Sequence, residues 1–203
     1  SHRDRATSGA HIQARDTDMT TILAIPGSWR SGSYNLALAR AAQALAPAGC
    51  TVELASIAAI PVYDGDNEAA QGVPVPVAEL KDRIAAADAL LLVTPEYNNS
   101  VPGPLKNAID WLSRPASDLA RVFGDKPTGL IGASPGPGGT RLAQAAWLPV
   151  LRLLGTRPWF GKSVYVADAG KAFDAGGALV DERLRGVVAA YMLGLAQFAH
   201  VQA

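Results

Sequence analysis

TTILAIPGSWRSGSYNLALARAAQ, residues 20–43, holds the decision on the fold. An apolar run of strand length, Thr20 to Pro26, gives way to a loop of small polar residues, Gly27 to Asn35. Leu36-Ala37-Leu38-Ala39 then begins a helix-like stretch. A strand feeding a helix through a glycine-containing turn is the opening of a β-α unit, and the rest of the chain can be tested for its repetition.

The pattern returns five times. Apolar runs place strands near 20–26, 51–57, 89–95, 127–134 and 162–167, and periodic stretches place helices near 34–47, 75–87, 103–114, 140–155 and 178–200. Ala89-Leu90-Leu91-Leu92-Val93-Thr94 is apolar at nearly every position, as a strand covered on both faces must be, so the sheet is mostly parallel. In the last helix Leu184, Val187, Val188, Tyr191, Leu195 and Phe198 form one stripe that docks on the sheet. Gly49 and Gly155 are expected as helix C-caps, and Pro149 implies a kink or break in the fourth helix. Five right-handed units leave few topologies. The expected fold is an α/β domain with a doubly wound, five-stranded parallel sheet of order 2-1-3-4-5 and helices on both faces. Ligands in such sheets bind beyond the carboxyl ends of the strands, which directs attention to loops 26–35, 95–104 and 134–141.

Composition narrows the partners. The chain has 203 residues, 49% of them hydrophobic, enough for one core. Eighteen basic residues balance eighteen acidic ones, so no global field draws nucleic acid or an anionic membrane. The single cysteine, Cys50, excludes an internal disulfide and is expected as a small buried apolar residue. His2, His11 and His200 lie at the termini, so no metal site and no histidine-driven nucleophile is expected. Residues 1–18 lack apolar periodicity and are expected to be a loose tail, with the folded domain over 19–203. No stretch reaches the ~20 apolar residues of a bilayer span, so no membrane insertion is expected and the location is taken as cytoplasmic.

The loop at 27–35 admits two readings. Ser33 or Asn35 caps a helix and the other serines are turn residues; or the helix N-terminus, the serine hydroxyls and the Arg30 guanidinium together bind an anion. Arg30 favours the second. The loop lacks the lysine of a P-loop and the G-x-G-x-x-G of a dinucleotide fold, and suits a terminal phosphate monoester held without magnesium. The second loop runs through Pro95-Glu96-Tyr97-Asn98-Asn99-Ser100, where exposed backbone groups beside the flat face of Tyr97 suit a planar heterocycle with imide edges. Trp111 is read as a core or subunit-interface residue.

GSWRSGSYN, PEYNNSVPGPLKNAIDWLS and ASPGPGGTR together resemble the NADPH-dependent FMN reductase family, in its branch of bacterial quinone and chromate reductases, over about residues 20–200. The resemblance implies a flavodoxin-like fold and an FMN cofactor. It assigns the FMN phosphate to Ser28, Arg30, Ser33, Tyr34 and Asn35. The ring falls to Pro95, Glu96, Tyr97 and Asn98, and its other edge to Ser134, Gly138 and Gly139. Asn99 stands where relatives often carry tyrosine, and Pro135 and Pro137 are additional in the third loop. The implied activity is ping-pong hydride transfer from NAD(P)H to FMN and then to a small-molecule acceptor, in first place a quinone, with chromate, azo and nitro compounds or free flavin as further acceptors. The flavin carries the chemistry, so no catalytic side chain is assigned and Glu96 is not expected to act as a proton donor. The other class of reading is a non-enzymatic electron carrier or flavin-binding sensor; zero net charge argues against a carrier, which usually docks through an acidic surface. The apolar residues of 103–114 exceed what one helix face needs, and with the resemblance suggest a homodimer or homotetramer.

Overall fold

Side chains alternate across β1 (Thr20–Pro26): Ile22 and Ala24 enter one core layer, Leu23 and Ile25 the other. The same division runs through β3 (Ala89–Val93), with Leu91 and Val93 on one side and Leu90 and Leu92 on the other. A strand buried on both faces demands helices on both, and the chain supplies them. In the computed structural model, which describes residues 19–201, α1 (Tyr34–Ala44) and α8 (Glu182–Ala199) cover one face. The other face carries α3 (Val75–Ala86), α4 (Gly103–Leu112), α5 (Leu119–Phe123) and α6 (Arg141–Leu154). The expected tail at 1–18 lies outside the described residues.

The sheet order is β2-β1-β3-β4-β5, all parallel, with β2 at Cys50–Leu54, β4 at Pro127–Ala133 and β5 at Arg157–Pro158. A sixth strand, β6 (Val164–Val166), also pairs with β4. The expected fifth strand at 162–167 is β6, shorter at both ends, and an unexpected short strand, β5, precedes it along the same neighbour, the two separated by residues 159–163, so the sheet has six strands where five were expected. Trp159 turns out of line there to pack edge-on against Tyr191 at 4.8 Å between ring centroids. It fills the notch left by Gly194, where a Cβ would sit 2.3 Å from the indole.

Other departures have local causes. The last helix begins at Glu182, not 178, because Asp181 caps it by accepting from Leu184 N, while Phe173 and Leu179 bridge across a preceding turn. Gly155 is the left-handed C-cap of α6, but Gly49 lies four residues past the cap of α1, in the turn into β2. Helix α6 runs through Pro149 without a break. The carbonyl that the proline leaves without its N–H belongs to Ala145, and both residues are on the exposed face, where that carbonyl is open to solvent. Helix α2 (Gly65–Gln71) buries no residue and α5 has five residues, so neither produces a periodic signal. Helix α7 (Ala169–Ala172) is a single turn after β6.

Register fixes where the site lies. Ile25 pairs with Leu92 and Pro26 with Val93, so β1 and β3 end level. Gly27 N then donates to Val93 O at 2.9 Å, and a Cβ on Gly27 would meet Pro95 Cδ at 2.7 Å. The loops after β1 and β3 touch because the first begins with glycine.

Candidate functional site

The loops after β1, β3 and β4 converge on a cavity of about 70 Å³ at the carboxyl end of the sheet. Ser28, Arg30, Ser33, Tyr34 and Asn35 enter it from the first loop, Pro95, Glu96 and Tyr97 from the second, and Ser134 from the third. Of the residues expected at the site from sequence, only Asn98, Gly138 and Gly139 do not line it.

The first loop is built around α1. Ser33 accepts from Leu36 N at 3.3 Å through Oγ and from Ala37 N at 3.0 Å through its carbonyl, and Gly32 takes φ +70° to allow the approach. The amides of Tyr34 and Asn35 have no intrahelical acceptor at this end of a helix, so the partial positive charge of α1 faces the cavity. The capping reading is met by Ser33, and the same geometry leaves donors facing the cavity, as the anion-site reading requires. Arg30 donates to Ser31 O at 3.1 Å, and no carboxylate lies within ion-pair distance of it among the described residues.

Asn35 has a different task from its neighbours. Its Nδ2 donates to Ala133 O and its Oδ1 accepts from Ala133 N, both at 2.9 Å, and the side chain is buried. Both ends of the amide are occupied in locking α1 to the tip of β4. Tyr34 stacks on Phe173 with centroids 5.9 Å apart.

Glu96 accepts from Leu142 N at 2.9 Å and Ala143 N at 3.0 Å, both through Oε2. It caps α6 from another loop, a place where Thr140, the residue preceding the helix, makes no capping bond because its Oγ1 accepts from Gln144 Nε2 instead. The carboxylate therefore ties the second loop to the third, with its charge set against the positive helix end. Tyr97 and Ser100 exchange two backbone bonds, 3.2 and 3.0 Å, around Asn98 and Asn99 at φ 50° and 58°. Such a two-residue turn needs both central residues left-handed, and asparagine tolerates that. Asn98 and Asn99 shape the turn that presents the half-exposed Tyr97 ring. Ser134 Oγ donates to Gly139 O at 2.7 Å, closing the third loop on itself. Gly139 has φ +63°, and beside Gly138 a Cβ would meet open space.

A larger cavity of about 490 Å³ lies beyond Ser28 and Tyr97, which border both. Its walls include Trp29, Ile57, Ile60, Val62 and Pro104. Nothing in the sequence points to this space, since the loop over 55–64 carries no motif. Asn107 holds its rim: Nδ2 donates to Pro61 O and Oδ1 accepts from Tyr63 N, each at 2.8 Å. Trp111 is a core residue that adds a bond from Nε1 to Pro61 O at 3.0 Å. The apolar residues of α4 that suggested an interface, Leu105, Ile109, Trp111 and Leu112, are all buried within the chain itself. Cys50 is half-buried, and burial, with Asp88 nearby, raises its thiol pKa above the ordinary value. No cluster of three histidine, cysteine or acidic residues placed to hold a metal occurs among the described residues, and no described helix is long and apolar enough to cross a membrane.

A family model described as NADPH-dependent FMN reductase matches residues 20–171. The chain is 44% identical over 172 residues to an NAD(P)H-dependent FMN reductase of Pseudomonas aeruginosa, covering 85% of this chain and 91% of that protein. It is 37% identical to a 2-hydroxy-1,4-benzoquinone reductase of a Burkholderia species, covering 84% of this chain and 91% of the other. Among solved structures, FerB of Paracoccus denitrificans, a flavoenzyme NAD(P)H:(acceptor) oxidoreductase, superposes with a TM-score of 0.79 at 35% identity, covering 89% of this chain and 97% of FerB.

Proposed function

Since the chain belongs to the NADPH-dependent FMN reductase family and is an oxidoreductase of flavodoxin-like fold, we propose that it binds FMN across its three loops and passes electrons from NAD(P)H to a quinone-type acceptor in two successive half-reactions. The observation that carries this reading is the donor cradle at the start of α1, whose cation Arg30 has no carboxylate partner among the described residues and which opens directly beside Tyr97.

The residues suit the cofactor. A phosphate dianion requires donors and positive charge; Ser28 and Ser33 hydroxyls, the first-turn amides of α1 and Arg30 provide them. The carboxylate at the cavity, Glu96, is engaged by two helix amides and so is held away from a bound phosphate. Pro95, Glu96, Tyr97 and Asn98 would flank one side of the ring, and Ser134, Gly138 and Gly139 the other, where open space beside Gly138 permits close approach. Asn35 acts through Ala133, fixing the third loop relative to the first.

When bound, FMN supplies the hydride chemistry, accepting two electrons from NAD(P)H and delivering them onward. The chain's own part is positional. The first loop anchors, the Glu96 bond to α6 keeps the second and third loops at a fixed separation, and backbone donors in both offer fixed dipoles to developing negative charge. NAD(P)H and acceptor enter by the same opening in turn, so neither needs a second dinucleotide motif. Acceptors in this proposal are quinones first, with chromate, azo or nitro compounds and free flavin secondary. The setting is the cytoplasm, where NAD(P)H is supplied.

A homodimer or homotetramer remains part of the proposal on a new ground. Leu142, Leu148 and Leu153 of α6 stay 53%, 40% and 79% exposed, with Leu142 and Leu153 on one side of the helix and no cover over them in the single chain. Light scattering on the eluted protein at micromolar concentration tests it, and a purely monomeric mass refutes it. The cofactor reading is tested by the visible spectrum. Protein incubated with FMN and desalted should carry oxidised-flavin bands that bleach anaerobically with NADPH and return on adding a quinone; a colourless protein refutes it.

A further inference from the structure

Two buried side-chain nitrogens among the described residues have no hydrogen-bond partner, Trp29 Nε1 and Arg157 Nε. Arg157 Nε still has Asp125 Oδ1 at 3.4 Å as an opposite charge. Trp29 Nε1 has nothing, and its indole forms part of the wall of the 490 Å³ cavity. Folding rarely leaves a donor sealed from water with no acceptor, and each such case calls for the group that completes it.

The rest of the wall restricts that group. Ile57, Ile60, Val62 and Pro104 are apolar, and no charged side chain lines the cavity. Asn107 is there too, but both ends of its amide are engaged by Pro61 and Tyr63. The cavity thus offers flat apolar surface and no cation for an anion, and its wall includes an indole whose N–H, covered in this structure, has no acceptor among the described residues. It shares Tyr97 and Ser28 with the phosphate cradle, so a molecule seated in it lies against the cofactor loops.

We propose that Trp29 determines acceptor specificity: the cavity seats an uncharged planar carbonyl compound against the indole, and Nε1–H donates to one of its carbonyl oxygens. The proposal rests on the flavoenzyme reading above and adds to it a residue and a selection rule. An oxyanion such as chromate meets no positive side chain in this cavity, and a bare aromatic hydrocarbon leaves the N–H unsatisfied. Because Nε1 is covered in the ligand-free chain, the indole turns toward the cavity as the ligand enters.

The test uses the FMN-loaded full chain, oxidised and without NAD(P)H, titrated calorimetrically with 2-methyl-1,4-naphthoquinone and with 2-methylnaphthalene. Trp29→Phe keeps an aromatic wall and removes the donor; it should weaken the quinone roughly tenfold and leave the hydrocarbon within about twofold. Trp29→Ala should weaken both. In wild-type protein labelled with ¹⁵N, the Trp29 indole proton should move downfield with the quinone and not with the hydrocarbon, a readout that needs no variant to fold. Quinone affinity unchanged in Trp29→Phe, or an indole proton indifferent to the quinone, overturns the inference. Failure of the flavin reading is seen separately, as absent flavin absorbance before any titration; the quinone titration of the flavin-free chain then still reports on Trp29.

Discussion

Replacing Glu96 by alanine should loosen two loops at once, although the residue lies in neither the core nor a conventional cap position. Its Oε2 receives Leu142 N and Ala143 N at 2.9 and 3.0 Å, and Thr140 offers α6 no side-chain cap in its stead. Losing an N-cap costs about 1 kcal/mol, and losing the negative charge at a helix N-terminus a further 0.3–1 kcal/mol or so. The sum, about 1.5–2 kcal/mol, lowers the melting temperature of a domain this size by roughly 3–8 °C at about 2–4 °C per kcal/mol. Glu96→Gln retains one acceptor oxygen without the charge, so its shift should be about half as large or less. Differential scanning calorimetry of the flavin-free protein measures the first effect. Titration of flavin fluorescence measures the second: with its tether to α6 gone, the loop bearing Tyr97 orders only on binding, and FMN affinity falls by roughly three- to tenfold in Glu96→Ala. A melting temperature within about 1 °C of wild type, together with unchanged FMN affinity, would refute the claim that this carboxylate joins the loops.

Arg30→Ala should weaken FMN binding by about ten- to a hundredfold, as expected for a lost charge-assisted bond of about 1.5–3 kcal/mol, and should leave riboflavin, which has no phosphate, nearly unaffected. Equal losses for both flavins would move Arg30 away from the phosphate. Asp118 predicts the acid limb of stability. Hydrogen bonds from Arg121 and then from Lys81, whose side chain is buried, hold its carboxyl well below the ordinary 3.8. A depressed native pKa stabilises above the unfolded value and is lost as pH falls through the native one. The urea midpoint of wild type should therefore fall more steeply below pH ~4 than that of Asp118→Asn, and parallel curves would contradict this.

The order of the sheet followed from the sequence because parallel strands covered on both faces have little freedom in composition. Leu90, Leu91 and Leu92 announce burial on both sides whatever packs there. Departures occurred where a single contact overrode a local pattern: Trp159, reaching for Gly194, turns the chain away between the unexpected β5 and β6, and Asp181 moved the start of α8. The short α5 and the polar α2 were invisible because neither is long enough or apolar enough to repeat.

Sequence alone pointed to the loops that line the candidate cavity, since β1 and β3 are neighbours at a switch point and their carboxyl ends must meet. It also supplied the types of donor, because serine, arginine and glycine between a strand and a helix have a restricted chemistry. What each residue does there was decided by partners remote in the chain. Asn35 is bonded to Ala133 and Glu96 to the amides of α6, while Trp29 Nε1 has no partner among the described residues. Side-chain chemistry is local and can be read from one position. Whether a donor or acceptor is already satisfied depends on what folding brings within about 3 Å, and only the packed chain fixes that.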